Sequence, residues 1–164
     1  MTNLIRCLTL SHVPRWAIID TIKNQSVGEH TFRTMVICKA IAEFLLDHDV
    51  HVDMLELFYQ ALIHDMEEAK TGDIPSPFKR ELFGDKLDKK YTDEGLIIKL
   101  ADTIEPIIFL RRYGVRSNKI EEELKSYCEK TVFKIHEQFN FNGHVLWQFR
   151  IFIEQVIREG GDYE

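Results

Sequence analysis

The stretch Ala61-Leu62-Ile63-His64-Asp65-Met66-Glu67-Glu68-Ala69-Lys70-Thr71-Gly72-Asp73-Ile74-Pro75-Ser76-Pro77 starts as an apolar helix and becomes acidic and imidazole-bearing at one end. Gly72 is a natural stop, because glycine readily adopts the left-handed conformation that closes helices, and two prolines then prevent resumption. Upstream, Met54, Leu55, Leu57, Phe58, Ala61, Leu62 and Ile63 recur at helical spacing. One helix is therefore expected over 54–69. Burying His64 and Asp65 at its inner end is costly unless each is paired or bound to a metal.

The segments on either side are also helical. Ser26 followed three residues later by Glu29 reads as a capping box, in which each side chain satisfies an orphan amide of the first turn. It opens a helix running to about Leu46, with His30 in its first turn and Phe32, Met35, Val36, Ala40, Ile41, Phe44 and Leu45 on a broad apolar face. Before it, Leu4, Ile5, Leu8 and Leu10 suggest a short amphipathic helix that stops near Pro14. Residues 47–51 form a loop, and the charged run 78–90 reads as a short helix plus loop.

Farther on, Leu96, Ile97, Leu100, Ala101, Ile104, Ile107, Ile108 and Leu110 define a helix kinked at Pro106 and ended by Tyr113-Gly114. Ser117 caps a polar amphipathic helix. After Gly143 comes a last helix over 145–158 that is apolar on most sides, and so is expected at the centre of the core or at a subunit interface. No stretch alternates as a strand does. The expected architecture is all-α, a single domain over residues 1–164.

At 164 residues the chain can bury a substantial core without staples. A formal charge of -6 argues against nonspecific nucleic-acid binding, yet leaves room for a small anionic substrate held by local cations. Cys7, Cys38 and Cys128 are odd in number and widely spaced, so no disulfide framework is expected, and Cys7 and Cys38 read as small core residues. With no signal peptide and no run of membrane-spanning length, the chain reads as cytoplasmic, with no membrane partner.

A His-Asp pair alone says little, as the loop pair His48-Asp49 demonstrates. Context makes His64-Asp65 different. His30 opens one helix, and Asp102 interrupts the apolar face of Lys99-Leu100-Ala101-Asp102-Thr103-Ile104. Two imidazoles and two carboxylates on separate helices make a mixed nitrogen and oxygen set suited to a borderline divalent transition metal. Glu68 follows His64 by one helical turn and shares its face, unlike Glu67.

Val27-Gly28-Glu29-His30, His64-Asp65 and Asp102 follow the order of the HD-domain metal-dependent phosphohydrolases, which this chain resembles over about residues 14–108. Arg15-Trp16, Glu68 and Thr71-Gly72-Asp73-Ile74-Pro75 are similar to the HD-domain 5′-deoxynucleotidases and to the short bacteriophage dATP triphosphohydrolases. The resemblance implies an HD-domain helical bundle in which His30, His64, Asp65 and Asp102 hold zinc, cobalt or manganese. Glu68 would orient or deprotonate the attacking water. Arg15 and Lys79 would bind phosphate, Trp16 would lie against the sugar and disfavour a 2′-hydroxyl, Asp73 would accept the 3′-hydroxyl, and Ile18 would border the base.

The implied reaction is hydrolysis of dATP to deoxyadenosine and triphosphate, by attack of a metal-activated water at the α-phosphorus. The alternatives are a 5′-deoxynucleotidase acting on monophosphates and a non-catalytic, nucleotide-sensing HD domain. The family also implies a homo-oligomer, from a dimer up to a hexamer, and the host cytoplasm if the chain comes from a phage. Gly28 departs from the usual Ser or Ala. The stretch between Asp65 and Asp102 is shorter than in the bacterial enzymes, which favours the phage type and leaves Glu94 and Glu105 as alternatives for the last ligand.

Overall fold

The computed structural model describes Ile5 and residues 7–74, 91–115 and 118–161. The expected helix within 78–90, the phosphate candidate Lys79 and the Ser117 cap lie outside them. A 3₁₀ segment, Cys7–His12, precedes helices α1 (Val27–Leu46), α2 (Met54–Ile63), α3 (Glu68–Thr71), α4 (Asp93–Tyr113), α5 (Asn118–Phe139) and α6 (Gly143–Gly161). Among the described residues there is no strand, only the isolated bridges Pro14–Ser26 and Thr21–Gly114, so the fold is all-α. No described helix is long and apolar enough to cross a membrane.

Side-chain caps set where the helices begin. Ser26 Oγ accepts the Glu29 N–H at 3.1 Å, Asp53 Oδ1 accepts those of Leu55 and Glu56 at 3.0 Å, and Thr92 Oγ1 accepts that of Gly95 at 3.1 Å. Each relieves an amide with no partner in the first turn. The expected box at α1 forms from its serine side, while the Glu29 carboxylate meets Lys23 Nζ at 2.8 Å.

Of the short amphipathic helix expected at the N-terminus, Cys7–His12 forms a 3₁₀ segment that packs on α1, and Leu4 lies outside the described residues. Gly28 permits that approach. A Cβ there would stand 3.0 Å from Ser11 N and 3.2 Å from the Leu10 carbonyl carbon, both backbone atoms. The missing side chain therefore has a structural reason.

The expected single helix over 54–69 is broken. α2 stops at Ile63, and His64 Nδ1 donates to the Ala61 carbonyl at 2.6 Å. That carbonyl is the one a further α-turn would use. The chain then winds more tightly, with Met66 N–H to the Ile63 carbonyl at 3.0 Å and Glu68 N–H to that of Asp65 at 2.9 Å. α3 closes at Gly72, whose φ of 73° lies in the left-handed region and whose N–H donates to the Glu68 carbonyl at 2.9 Å.

The central helix is α4, not the last helix. It is buried continuously from Thr103 to Leu110, includes Pro106 without ending there, and packs against α1, α2, α5 and α6. α6 buries only Phe149, Ile153 and Ile157, leaving Trp147 and Ile151 exposed. Phe149 is fully buried and meets Phe44 and Phe141. Phe149→Ala is expected to cost about 3–5 kcal/mol, read as a lowered denaturation midpoint with unchanged slope. Cys38 and Cys128 are free, buried thiols that burial pushes up to about 12; both act as small core residues.

Candidate metal centre

Three parts of the chain converge on one point. α1 contributes His30, the α2–α3 junction contributes His64 and Asp65, and α4 contributes Asp102. One donor atom from each lies within 4.8 Å of all the others. His30 Nε2 is 3.1 Å from Asp102 Oδ1 and 3.5 Å from Asp65 Oδ2. His64 Nε2 is 3.2 Å from Asp65 Oδ2 and 3.9 Å from Asp102 Oδ1. Despite that short approach, His64 Nε2 is buried without a well-formed hydrogen bond, an orphan that a native interior rarely keeps.

The set fits a divalent transition metal. Nitrogen and oxygen donors bound at about 2.0–2.2 Å necessarily sit roughly 3–4 Å from one another, close to the spacing found here. Two imidazoles with two carboxylates match a borderline ion better than calcium or magnesium.

The tight turns at His64–Glu67 have a role in this convergence. The bond from His64 Nδ1 to the Ala61 carbonyl leaves Nε2 directed at Asp65 and Asp102. Likewise His30 Nδ1 meets Glu105 Oε2 at 2.6 Å, leaving Nε2 on the cluster side. In each ring the partner of one nitrogen fixes which way the other faces.

Electrostatics ties the four together. Burial pushes the His64 imidazole down, but the close Asp65 carboxylate and the charge of Asp102 raise it to about 9. Burial and Arg15 also oppose charge on His30, yet the bonds to Asp102 and Glu105 leave it raised. Burial works against ionised Asp102, but the Lys99 ammonium, 3.0 Å from Oδ2, and then the two imidazoles hold it well below the ordinary carboxylate range. Asp65 is likewise lowered against burial, chiefly by His64.

A second group adjoins the first. Arg15 Nη1 lies 3.3 Å from Glu105 Oε2, and Arg15 Nε lies 3.9 Å from Asp73 Oδ2. The Trp16 ring stacks on Phe109, with centroids 5.4 Å apart and an interplanar angle of 8°, and the Arg15 guanidinium sits 5.1 Å from the Trp16 centroid. Trp16 Nε1 donates to Gln25 Oε1 at 2.8 Å. Trp16 has a φ of 66°, a left-handed conformation that costs a non-glycine residue roughly 1–3 kcal/mol and tends to occur at functional sites. Glu68 is buried at the start of α3. Ile18 is exposed.

Sequence reasoning did not find the residues that support these groups. Glu105 is fully buried against His30 Nδ1, on the side of the ring away from the cluster, and so is not an alternative to Asp102. Glu105 was marked only as an alternative ligand, and Gln25, Arg33 and Lys99 went unmarked. An acid three residues after Asp102 in an apolar helix was a readable signal for Glu105, and Arg33 stands one turn beyond His30. Gln25 offered no such signal.

The chain is similar to several known proteins. The family model described as 5′-deoxynucleotidase YfbR-like matches residues 4–93. A dATP triphosphohydrolase of Cyanophage S-2L is 29% identical over 161 residues, covering 84% of this chain and 90% of that protein. A dATP triphosphohydrolase of Acinetobacter phage SH-Ab 15497 is 31% identical over 139 residues, covering 68% of each. Among solved structures, the Cyanophage S-2L HD phosphohydrolase DatZ, bound to dA and one catalytic Zn2+ ion, superposes with a TM-score of 0.74 at 21% identity, covering 94% of this chain and 96% of that one.

Proposed function

Because this chain belongs to the YfbR-like family of HD-domain phosphohydrolases, we propose that it hydrolyses dATP to deoxyadenosine and triphosphate. The observation that carries the reading is the convergence of His30, His64, Asp65 and Asp102 on one point beside the Arg15–Trp16 group. Phage relatives with the dATP activity in their names match over most of this chain.

In this reading His30, His64, Asp65 and Asp102 hold a divalent transition metal: zinc, as named for the cyanophage structure, or cobalt or manganese. Bound there, such an ion lowers the pKa of a water and polarises a phosphoryl oxygen. Glu68 takes a proton from the attacking water. The water oxygen bonds to the α-phosphorus, the bond from phosphorus to the 5′-oxygen breaks, and that oxygen leaves with a proton as the deoxyribose hydroxyl. Arg15, with Lys79, neutralises charge gathering on the phosphoryl group. Trp16 presents its ring to the sugar, Asp73 accepts the 3′-hydroxyl and Ile18 borders the base.

A second reading, 5′-deoxynucleotidase action on monophosphates, is favoured by the description of the matched family. Both cleave the same phosphorus–oxygen bond, so a panel of dNTPs and dNMPs with added zinc, cobalt or manganese separates them. Triphosphate release from dATP, faster than phosphate release from dAMP, is the expected outcome; the reverse ratio selects the nucleotidase. No release from any member overturns both.

The reading includes a homo-oligomer acting in the cytoplasm. Exposed Phe32 and Val36, one turn apart on α1, and Leu55 and Tyr59, one turn apart on α2, support an assembly that would cover them. Light scattering of the purified protein tests it.

A further inference from the structure

Glu105 has no part in the reaction as derived above, yet its carboxylate meets four other side chains. Its carboxylate is fully buried. Oε2 receives His30 Nδ1 at 2.6 Å and Arg15 Nη1 at 3.3 Å. Oε1 receives Gln25 Nε2 at 2.8 Å and Arg33 Nε at 2.8 Å. Through Gln25 it also reaches Trp16, whose indole N–H donates to the same amide.

We propose that Glu105 is the positioning residue that joins the two halves of the site, fixing His30 toward the metal cluster while holding Arg15 and Trp16 toward the substrate. The inference rests on the functional reading above. A carboxylate on the far nitrogen of a ligating imidazole fixes ring and tautomer, and removing such a partner typically lowers metal affinity or activity about 10- to 100-fold. Here the same carboxylate also anchors the cation assigned to phosphate.

The two guanidiniums divide that work. Arg15 reaches Glu105 through Nη1 at 3.3 Å, and a substrate phosphate met by its other N–H groups would draw off part of this first counter-charge without breaking the anchor. Arg33 keeps the second. It lies one turn beyond His30 on α1, its guanidinium 5.9 Å from the Phe109 centroid, just as Arg15 lies over Trp16 on the other ring of the stack. Arg33 and Gln25 thus hold Glu105, and through it His30, while Arg15 shares its charge with a phosphate.

The test uses the full chain and two variants. Glu105→Gln keeps the shape but gives up the charge that both guanidiniums share and turns a donor toward donors. Calorimetric titration with zinc, cobalt or manganese should show affinity falling about 10- to 100-fold, with the KM for dATP raised as Arg15 loses its anchor. Glu105→Asp should recover part of both. Arg33→Met leaves Arg15 and Gln25 on Glu105, so metal affinity should stay within about twofold while KM rises at least fivefold, because the Arg15 charge is then drawn onto the carboxylate and away from phosphate.

A folded Glu105→Gln protein with wild-type metal affinity overturns the proposal. So does an Arg33→Met protein with wild-type KM, and that variant decides the matter if Glu105→Gln fails to fold. A wild-type protein that binds no divalent metal and hydrolyses no nucleotide overturns the functional reading instead.

Discussion

Glu68→Gln is expected to lower kcat for dATP by about 100- to 10,000-fold, the span that a positioned general base contributes. The substitution preserves size at a buried position and removes the ability to take a proton. Because Glu68 is outside the four-residue cluster, metal affinity should hold and melting should change little. The loss should therefore appear in kcat and kcat/KM together, as expected for a group that acts in the transition state alone. A nucleotide-sensing domain without catalysis predicts something else: no turnover in the wild type and no effect of the substitution. A folded Glu68→Gln protein with near-native kcat removes Glu68 from the reaction.

Withdrawing the metal should have an effect as large. Dialysis against a chelator is expected to abolish hydrolysis, and zinc, cobalt or manganese should restore it. The pH dependence has a definite sign. In the metal-free protein His64 is raised to about 9, while a metal takes the neutral ring, so binding must displace a proton. Apparent metal affinity should climb with pH across neutrality and level off near 9. Stability of the metal-free protein runs the other way. A histidine raised above its unfolded value of 6.5 contributes stability fully below 6.5, and that contribution is lost as pH rises through about 9. This group therefore makes metal-free protein melt lower at pH 9 than at pH 6, and saturating metal should erase the difference. Metal affinity that falls with rising pH over that range would exclude His64 as a ligand.

Much of the framework could be read from the residues, for physical reasons that differ by element. Apolar periodicity located α1, α5 and α6, which each bury one side against the core, and a nearly continuous apolar run located α4, which is buried on all sides from Thr103 to Leu110. His64-Asp65, His30 and Asp102 stood out because charge at the inner end of an apolar stretch demands a partner. The break at His64 could not be read that way. It depends on one imidazole taking one carbonyl, which helical spacing does not encode. Glu105 looked like a spare ligand because sequence does not tell which nitrogen of His30 an acid will meet. The last helix read as central or as a subunit interface because its residues are apolar; in the fold α4 occupies the middle and the flank of the last helix stays open.

That central helix places Asp102 and Glu105 one turn apart on the same rod that carries Ile104, Ile107 and Ile108 into the core. Inserting one residue upstream of Asp102 would swing every later side chain by about 100°, turning the cluster carboxylate, the His30 anchor and the core residues out of phase together. Evolution of this chain can therefore lengthen or shorten the connections between helices, but within α4 deletions and insertions are forbidden far more strictly than substitutions. Homologues of this enzyme should differ in loop length and agree residue for residue in the spacing from Leu96 to Leu110.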